Sequence, residues 1–232
     1  MPAELPLTEM HDLALDVAPE LQQEPPYIIK HPETLPTPTD VAAYAMSGHS
    51  VAMQQHLADA GLWRGPGPVI AFVAEDLTRA ELLVTLAHEV AHLLPYAHSP
   101  ALPEIPTADA IDEDVRKLKA WVSEAPPRSN DKPRWTYGGH GRDFVRIALH
   151  LWWRFALRGH VLELDPLCGG MRYDLSPCYL YWRALGNEGV KMQDATFAEI
   201  LAEKPPDLFN AIWYADLRAW MERNPQSLKQ ES

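Results

Sequence analysis

The sequence feature that most constrains the fold is a helix whose start, buried face and end can all be located between residues 78 and 95. Thr78 and Glu81 stand three residues apart, as in a capping box, where the hydroxyl and the carboxylate satisfy each other's free backbone donors. Apolar residues then recur at helical spacing: Leu82, Leu83, Leu86, Val90, Leu93 and Leu94. Pro95 ends the run, because proline cannot continue a helix. We therefore predict a buried helix whose polar side chains must be satisfied inside the protein.

The polar side chains at the centre of this helix form the pattern H-E-x-x-H, with His88, Glu89 and His92. Two imidazoles at i and i+4 project from one face about one turn apart, a separation that suits two ligands of one zinc ion. Two histidines and an acid in a buried helix are costly without a metal or other partners. We therefore predict that His88 and His92 bind Zn2+. Glu89 is then placed to act as general base on a water whose pKa the zinc has lowered to about 7.

A catalytic zinc needs a third protein ligand and an open fourth position, and two histidines qualify as that ligand. His98 stands six residues after the second histidine of the motif, the spacing of H-E-x-x-H-x-x-G-x-x-H, with Pro95 at the glycine position. His140 immediately precedes a strongly apolar helix predicted over Gly141–Leu157, where Phe144 can anchor that helix in the core. The spacing alone leaves both candidates open.

The two histidine motifs together resemble a known family, the SprT-like zinc metalloproteases. They are H-E-x-x-H at residues 88–92 and H-G-x-x-F at residues 140–144, and with the strand and helices around them they cover well under half of the chain. In that family the histidine of the second motif, at the start of a later helix, is the third ligand. The resemblance therefore implies Zn2+ held by His88, His92 and His140, with Glu89 as the catalytic base.

The resemblance also implies a zincin-like fold: α+β, helix-rich, with a small sheet packed on the H-E-x-x-H helix. The short β-branched segment Val69–Ala74 predicts a strand of that sheet. In zincins an edge strand beside the cleft pairs with the peptide backbone, and the resemblance gives this role to Val69–Ala74. Residues 95–135, between the two motifs, are predicted to be a surface insertion with one polar helix over residues 108–124.

Proline content and helix signals give the expected domain organisation. Residues 1–38 hold eight prolines, which predicts an extended N-terminal arm with one short strand near residues 27–29. Residues 39–232 are predicted to form a single domain. Its further helices are predicted at Val41–Asp59, capped by Thr39 or Asp40 and ended by Gly61, and at Pro177–Leu185, Ala195–Ala202 and Pro206–Arg223, with a strand at His160–Leu164.

Charge and cysteine content exclude several classes of protein. Acidic residues outnumber basic ones 32 to 20, a net charge of −12, so we expect no nucleic-acid partner. Two cysteines, Cys168 and Cys178, are too few for a disulfide scaffold or a four-cysteine zinc ribbon. No apolar run approaches the roughly 20 residues that span a bilayer, and the first residues lack a secretory pattern. We therefore expect no membrane partner and a cytoplasmic location.

These observations predict a zinc-dependent metallopeptidase that acts on a peptide or protein substrate. Several residues are candidates for supporting roles: Tyr137 or Tyr173 for the oxyanion, Asp143 for orienting a ligand imidazole, and Arg142, Arg146, Arg154 and Arg158 for either a substrate carboxylate or a salt-bridged face. One alternative is a non-catalytic, zinc-stabilised binding or regulatory protein, in which a side chain such as His98 closes the fourth position. Another is hydrolysis of a non-peptide amide by the same residues.

Overall fold

The structure is a computed structural model of the chain. It describes residues 6–36, 38, 41–46, 51–94, 140–168, 176–186 and 195–223. These residues form a helix-rich α+β protein with a three-stranded sheet, which confirms the predicted fold class at this level. None of the helices in the described ranges has the length and apolar character needed to cross a membrane.

The described elements are helices and short strands up to residue 94 and helices after it. In chain order they are α1 (Leu7–Val17), β1 (Tyr27–Lys30), β2 (Ala43–Met46), α2 (Val51–Asp59), β3 (Val69–Phe72), α3 (Arg79–Leu93), α4 (Arg142–Leu157), α5 (Leu164–Leu167), α6 (Cys178–Gly186), α7 (Phe197–Ala202) and α8 (Asp207–Arg223). The described residues group into two compact units. The first holds residues up to 94 with His150–Leu167, and the second holds residues 140–149 and those from Cys168 onward. The predicted domain bounds, 1–38 and 39–232, stay a prediction.

The sheet has the strand order β1-β3-β2, so β3 is its central strand. β1 runs parallel to β3 with Tyr27 opposite Val69, and β2 runs antiparallel to it with Met46 opposite Val69. All four residues of β3 are buried, as expected for an apolar strand covered on both faces. The strand predicted at Val69–Ala74 is therefore confirmed. Its predicted place at the sheet edge is wrong, because both of its sides are paired.

Helices cover both faces of the sheet in the first unit. On one face α2 contributes Met53 and Leu57 to a core with Tyr27, Ile29, Val69 and Ala71, against which Leu35, Tyr44 and Met46 also pack. Successive side chains of a strand alternate between faces, so the remaining strand residues point to the opposite side. There α3 packs against β2 and β3, and α1 packs against β1 and α3. The H-E-x-x-H motif thus lies on a helix held against a small sheet.

The first 38 residues are not extended throughout, as the arm prediction required. Residues 7–17 form α1, with Met10, Ala14 and Val17 buried. Pro6 occupies its N-cap and Pro19 follows its end, so the prolines flank a proline-free segment and leave its helix intact. The predicted extended arm is therefore wrong over residues 7–17, because prolines interrupt a helix only where they fall inside it.

Two arginines of α4 hold the end of α1. Arg154 donates from Nη1 to the carbonyl of Val17 at 2.8 Å. Arg158 forms an ion pair with the carboxylate of Asp16 and donates to its carbonyl at 2.6 Å. Arg158 therefore takes the salt-bridged role, while Arg154 is held by a backbone carbonyl.

The helix predicted over residues 41–59 is wrong in its first half. Ala43–Met46 form β2, and only Val51–Asp59 are helical. Alanine and methionine favour helices, but pairing along β3 satisfies the backbone of this segment and overrides that preference. The proposed caps, Thr39 and Asp40, lie outside the described residues. Gly61 follows α2 with a φ of +68°, which confirms the predicted stop.

The strand predicted at His160–Leu164 is also wrong. Gly159 has a φ of +82°, and its N–H donates to the carbonyl of Ala156, which closes the end of α4. The chain then enters the single helical turn of α5, whose last residue, Leu167, is fully buried. A short apolar run does not distinguish a strand from a helical turn.

The second unit confirms the predicted C-terminal helices to within two residues at each end. α7 begins with a second capping box, formed by Thr196 and Glu199. α6 packs on α8, where the ring of Tyr181 lies 5.2 Å from that of Phe209 and 6.3 Å from that of Trp213. The insertion predicted at residues 95–135, with its helix over 108–124, lies outside the described residues.

Candidate metal centre

The scaffold of the candidate centre is α3, and its start is fixed as the sequence predicts. The N–H of Glu81 donates to Thr78 Oγ1 at 3.3 Å, and the N–H of Thr78 donates to Glu81 Oε2 at 2.7 Å. The core-facing residues Leu86, Ala87, Val90 and Ala91 are fully buried. A helix anchored at its start and along one face holds the polar residues between them in fixed positions.

The first two histidines of the motif face each other. Nε2 of His88 lies 3.2 Å from Nε2 of His92. Tetrahedral zinc with Zn–N bonds of about 2.0–2.1 Å places two ligand nitrogens about 3.3 Å apart. The separation of these two nitrogens therefore fits a shared metal ion.

The protonation of His88 is set by a backbone group that the sequence did not reveal. Nδ1 of His88 lies 2.7 Å from the carbonyl oxygen of Leu167, at the end of α5. A carbonyl only accepts, so Nδ1 carries the proton and Nε2 keeps its lone pair facing His92. Burial lowers the pKa of His88, and the Leu167 carbonyl acts in the opposite direction. Burial therefore favours the neutral imidazole, which is the form that binds metal.

The third predicted ligand, His140, lies two residues before the start of α4. Its ring meets that of Phe144 edge-on at 4.7 Å, and Phe144 is fully buried, as its anchoring role requires. One nitrogen from each of His88, His92 and His140 lies within 4.8 Å of the others. The structure thus brings these three histidines together. His98, the competing candidate, lies outside the described residues.

Glu89 is the buried carboxylic acid of the centre, with 6% of its surface exposed. Burial raises its pKa to about 8, and the N–H of Ala45, which donates to the carboxylate, acts against that rise. A pKa near neutrality suits a group that must both take and release a proton. The contact with Ala45 also places the edge strand β2 directly beside this carboxylate.

Three candidates for supporting roles are not assigned to the centre. Oδ1 of Asp143 lies 3.7 Å from Nε of Arg142. The role of Asp143 in orienting a ligand imidazole stays a prediction. Tyr137 and Tyr173, the two oxyanion candidates, lie outside the described residues.

The donor set is three imidazoles, which suits a first-row divalent cation such as zinc. Within the described ranges no fourth histidine, cysteine or acid belongs to the group. Three protein ligands leave one tetrahedral position for water or substrate, the arrangement of catalytic zinc sites.

Comparison with models of protein families, with curated proteins and with solved structures finds no match to this chain. Its function must therefore be inferred from the three imidazoles, the carboxylate and the strand beside them.

Proposed function

We propose that this chain is a zinc-dependent metallopeptidase of the zincin type, similar to the SprT-like family. One observation carries the proposal. A buried carboxylate, Glu89, stands next to an imidazole pair whose nitrogens are 3.2 Å apart, and His140 completes a cluster within 4.8 Å. Such a set has the parts that metal-assisted amide hydrolysis requires: three ligands, a base and a free coordination position.

His88, His92 and His140 would hold the metal ion. When bound, zinc supplies Lewis acidity, which lowers the pKa of a water and polarises a carbonyl oxygen. Glu89 takes the proton of the attacking water on its carboxylate and passes it to the nitrogen of the leaving amine. The hydrogen bond from the Ala45 N–H fixes the carboxylate during both transfers. The carbonyl of Leu167 keeps His88 in the tautomer that directs Nε2 toward the metal.

The edge strand β2 is the proposed binding site for the peptide backbone. Among the described strands, β2 pairs on one side only, with β3. Its Ala45 contacts Glu89, so a peptide extended along the other side of β2 passes the base. This role moves to Ala43–Met46 from the central strand to which the resemblance assigned it.

The mechanism is tested by Glu89→Gln, which keeps the shape of the side chain and removes the base. We expect the variant to retain zinc and to lose hydrolysis of a fluorescently labelled unfolded protein by about 100-fold or more. Glu163→Gln is the matched control, because Glu163 is exposed and follows α4 outside the centre. Wild type and the control should cleave the labelled protein when zinc is present, and cleavage should stop when a chelator removes the zinc.

Three results would contradict or redirect the proposal. Full activity in Glu89→Gln would contradict the mechanism. If zinc-loaded wild type cleaves neither unfolded proteins nor a peptide library, the centre belongs to a zinc-stabilised binding protein. Cleavage of small amides without cleavage of peptides would assign the same residues to a non-peptide substrate.

A further inference from the structure

A second cluster of polar side chains lies on α4, within the second unit. Arg142 and Arg146 are one turn apart, at the N-terminal end of this helix. Arg146 is 4% exposed, and the side chain of Arg142 is 27% exposed. Neither residue is a candidate metal ligand, so the proposed mechanism uses neither.

The guanidinium of Arg146 is buried with few partners. Its Nη2 donates to the carbonyl of Ile200 at 2.8 Å, while its buried Nε has no hydrogen-bond acceptor among the described residues. Two carboxylates act on it through charge, Asp143 and Glu203, but neither accepts a hydrogen bond from it in the described structure. A buried guanidinium with an unsatisfied donor is costly, and an anion with acceptor oxygens would satisfy it.

Among the described residues, the guanidinium of Arg142 makes only long contacts. Its Nη1 lies 3.4 Å from Oδ1 of Asn210, and its Nε lies 3.7 Å from Asp143 and likewise has no hydrogen-bond acceptor. The amide nitrogen of Asn210 donates in turn to the carbonyl of Pro205 at 3.2 Å. Contacts this long are weak, so they do not hold the Arg142 guanidinium firmly in place.

We infer that Arg142 and Arg146 form a binding site for a small oxyanion, a phosphate or carboxylate group, at the N-terminus of α4. Each guanidinium offers a planar fork of donors that matches two oxygens. The first turn of a helix adds free backbone N–H groups and the positive end of its dipole. The inference rests on residues of the second unit alone and does not depend on the proposed peptidase activity.

The test is a titration of the full chain with inorganic phosphate, in which binding is measured by the change in the 31P NMR chemical shift at constant ionic strength. We expect saturable binding to wild type and about tenfold or greater weakening in Arg142→Gln, since charge-assisted hydrogen bonds are lost. Arg142→Lys keeps the charge but not the fork, and should also weaken binding. Arg223→Gln, at the exposed end of α8, removes the same charge elsewhere and should leave binding unchanged.

Two further arms separate the possible sources of the signal. Metal-depleted His92→Ala should still bind phosphate, because the arginine site needs no zinc. Succinate should compete with phosphate if the site accepts carboxylates, and failure to compete limits the ligand to phosphate. Absence of saturable binding, equal binding by wild type and Arg142→Gln, or binding that disappears only in His92→Ala would each overturn the inference.

Discussion

At the scale of single residues, two buried polar side chains of the described chain, Asp216 and His88, have specific hydrogen-bond partners. Asp216 is 5% exposed and accepts from the N–H of Ser176 at 3.0 Å, from its hydroxyl at 2.7 Å and from the Tyr181 hydroxyl at 2.7 Å. These donors fix the residues just before and within α6 against α8. In the candidate centre, the carbonyl of Leu167 likewise fixes the imidazole of His88 by accepting a hydrogen bond from its Nδ1.

Asp216→Asn should destabilise the protein. Both carboxylate oxygens of Asp216 accept hydrogen bonds, and the asparagine NH2 group that replaces one of them is itself a donor and would face those donors. We expect the free energy of unfolding to fall by about 1–3 kcal/mol, measured by urea denaturation. Asp207→Asn is the control, since Asp207 is exposed and pairs with Lys204 at the surface. Equal stability of the two variants would show that the buried carboxylate is not a structural anchor.

Residue identity and spacing predicted which histidines lie together, but not the contacts that support them. The pattern of His88, Glu89 and His92 is local, so a helix is enough to bring these side chains together. The partner of His88 is a backbone carbonyl in α5, and the partner of Glu89 is a backbone N–H in β2. Backbone groups carry no signal in the amino-acid sequence, so neither contact could be anticipated.

At the scale of elements, the long helices were predicted from the sequence, whereas the strand β2, which depends on pairing with β3, was not. α3 and α4 have buried faces many residues long, and α3 has a capping box. β2 has only four residues, and its sequence of alanine, tyrosine, alanine and methionine also suits a helix. The local sequence does not encode its pairing with β3, a strand more than twenty residues away.

The tie between α1 and α4 gives a pH prediction. The hydrogen bond from Arg158 holds the pKa of Asp16 below its ordinary value, although partial burial acts against this. The pKa of Asp16 is then lower in the folded than in the unfolded protein. The stability that the Asp16–Arg158 pair contributes is therefore complete above the unfolded-state pKa and is lost as the pH falls through the folded-state pKa. Because Asp16 is largely exposed, we expect Asp16→Asn to cost less than about 1 kcal/mol at neutral pH.

Urea denaturation at several pH values checks this. The stability difference between wild type and Asp16→Asn should shrink toward zero as the pH is lowered from 7 to about 3. Asp12→Asn, in the same helix and 86% exposed at its side chain, should show a smaller difference throughout. A difference that grows on acidification would refute the assigned direction.

At the scale of the whole molecule, the main question is whether a metal ion belongs to the fold. Two candidate ligands come from α3 and the third, His140, lies two residues before α4, far away in the sequence. Binding at such a site adds its free energy to that of folding. The chain also carries a net charge of −12, which attracts divalent cations without specific sites. Metal content must therefore be compared between variants of equal charge, in salt that screens the surface.

The most direct measurement of the central claim is the zinc content of purified protein after dialysis in 0.15 M salt, a concentration at which surface attraction extends only about 8 Å. Wild type and His98→Ala should each retain one zinc ion per chain, while His88→Ala, His92→Ala and His140→Ala should lose it. Circular dichroism would show whether each variant remains folded. Zinc lost from a folded His98→Ala and retained by His140→Ala would contradict the account, because the third ligand would then be His98 and the SprT-like interpretation would be wrong.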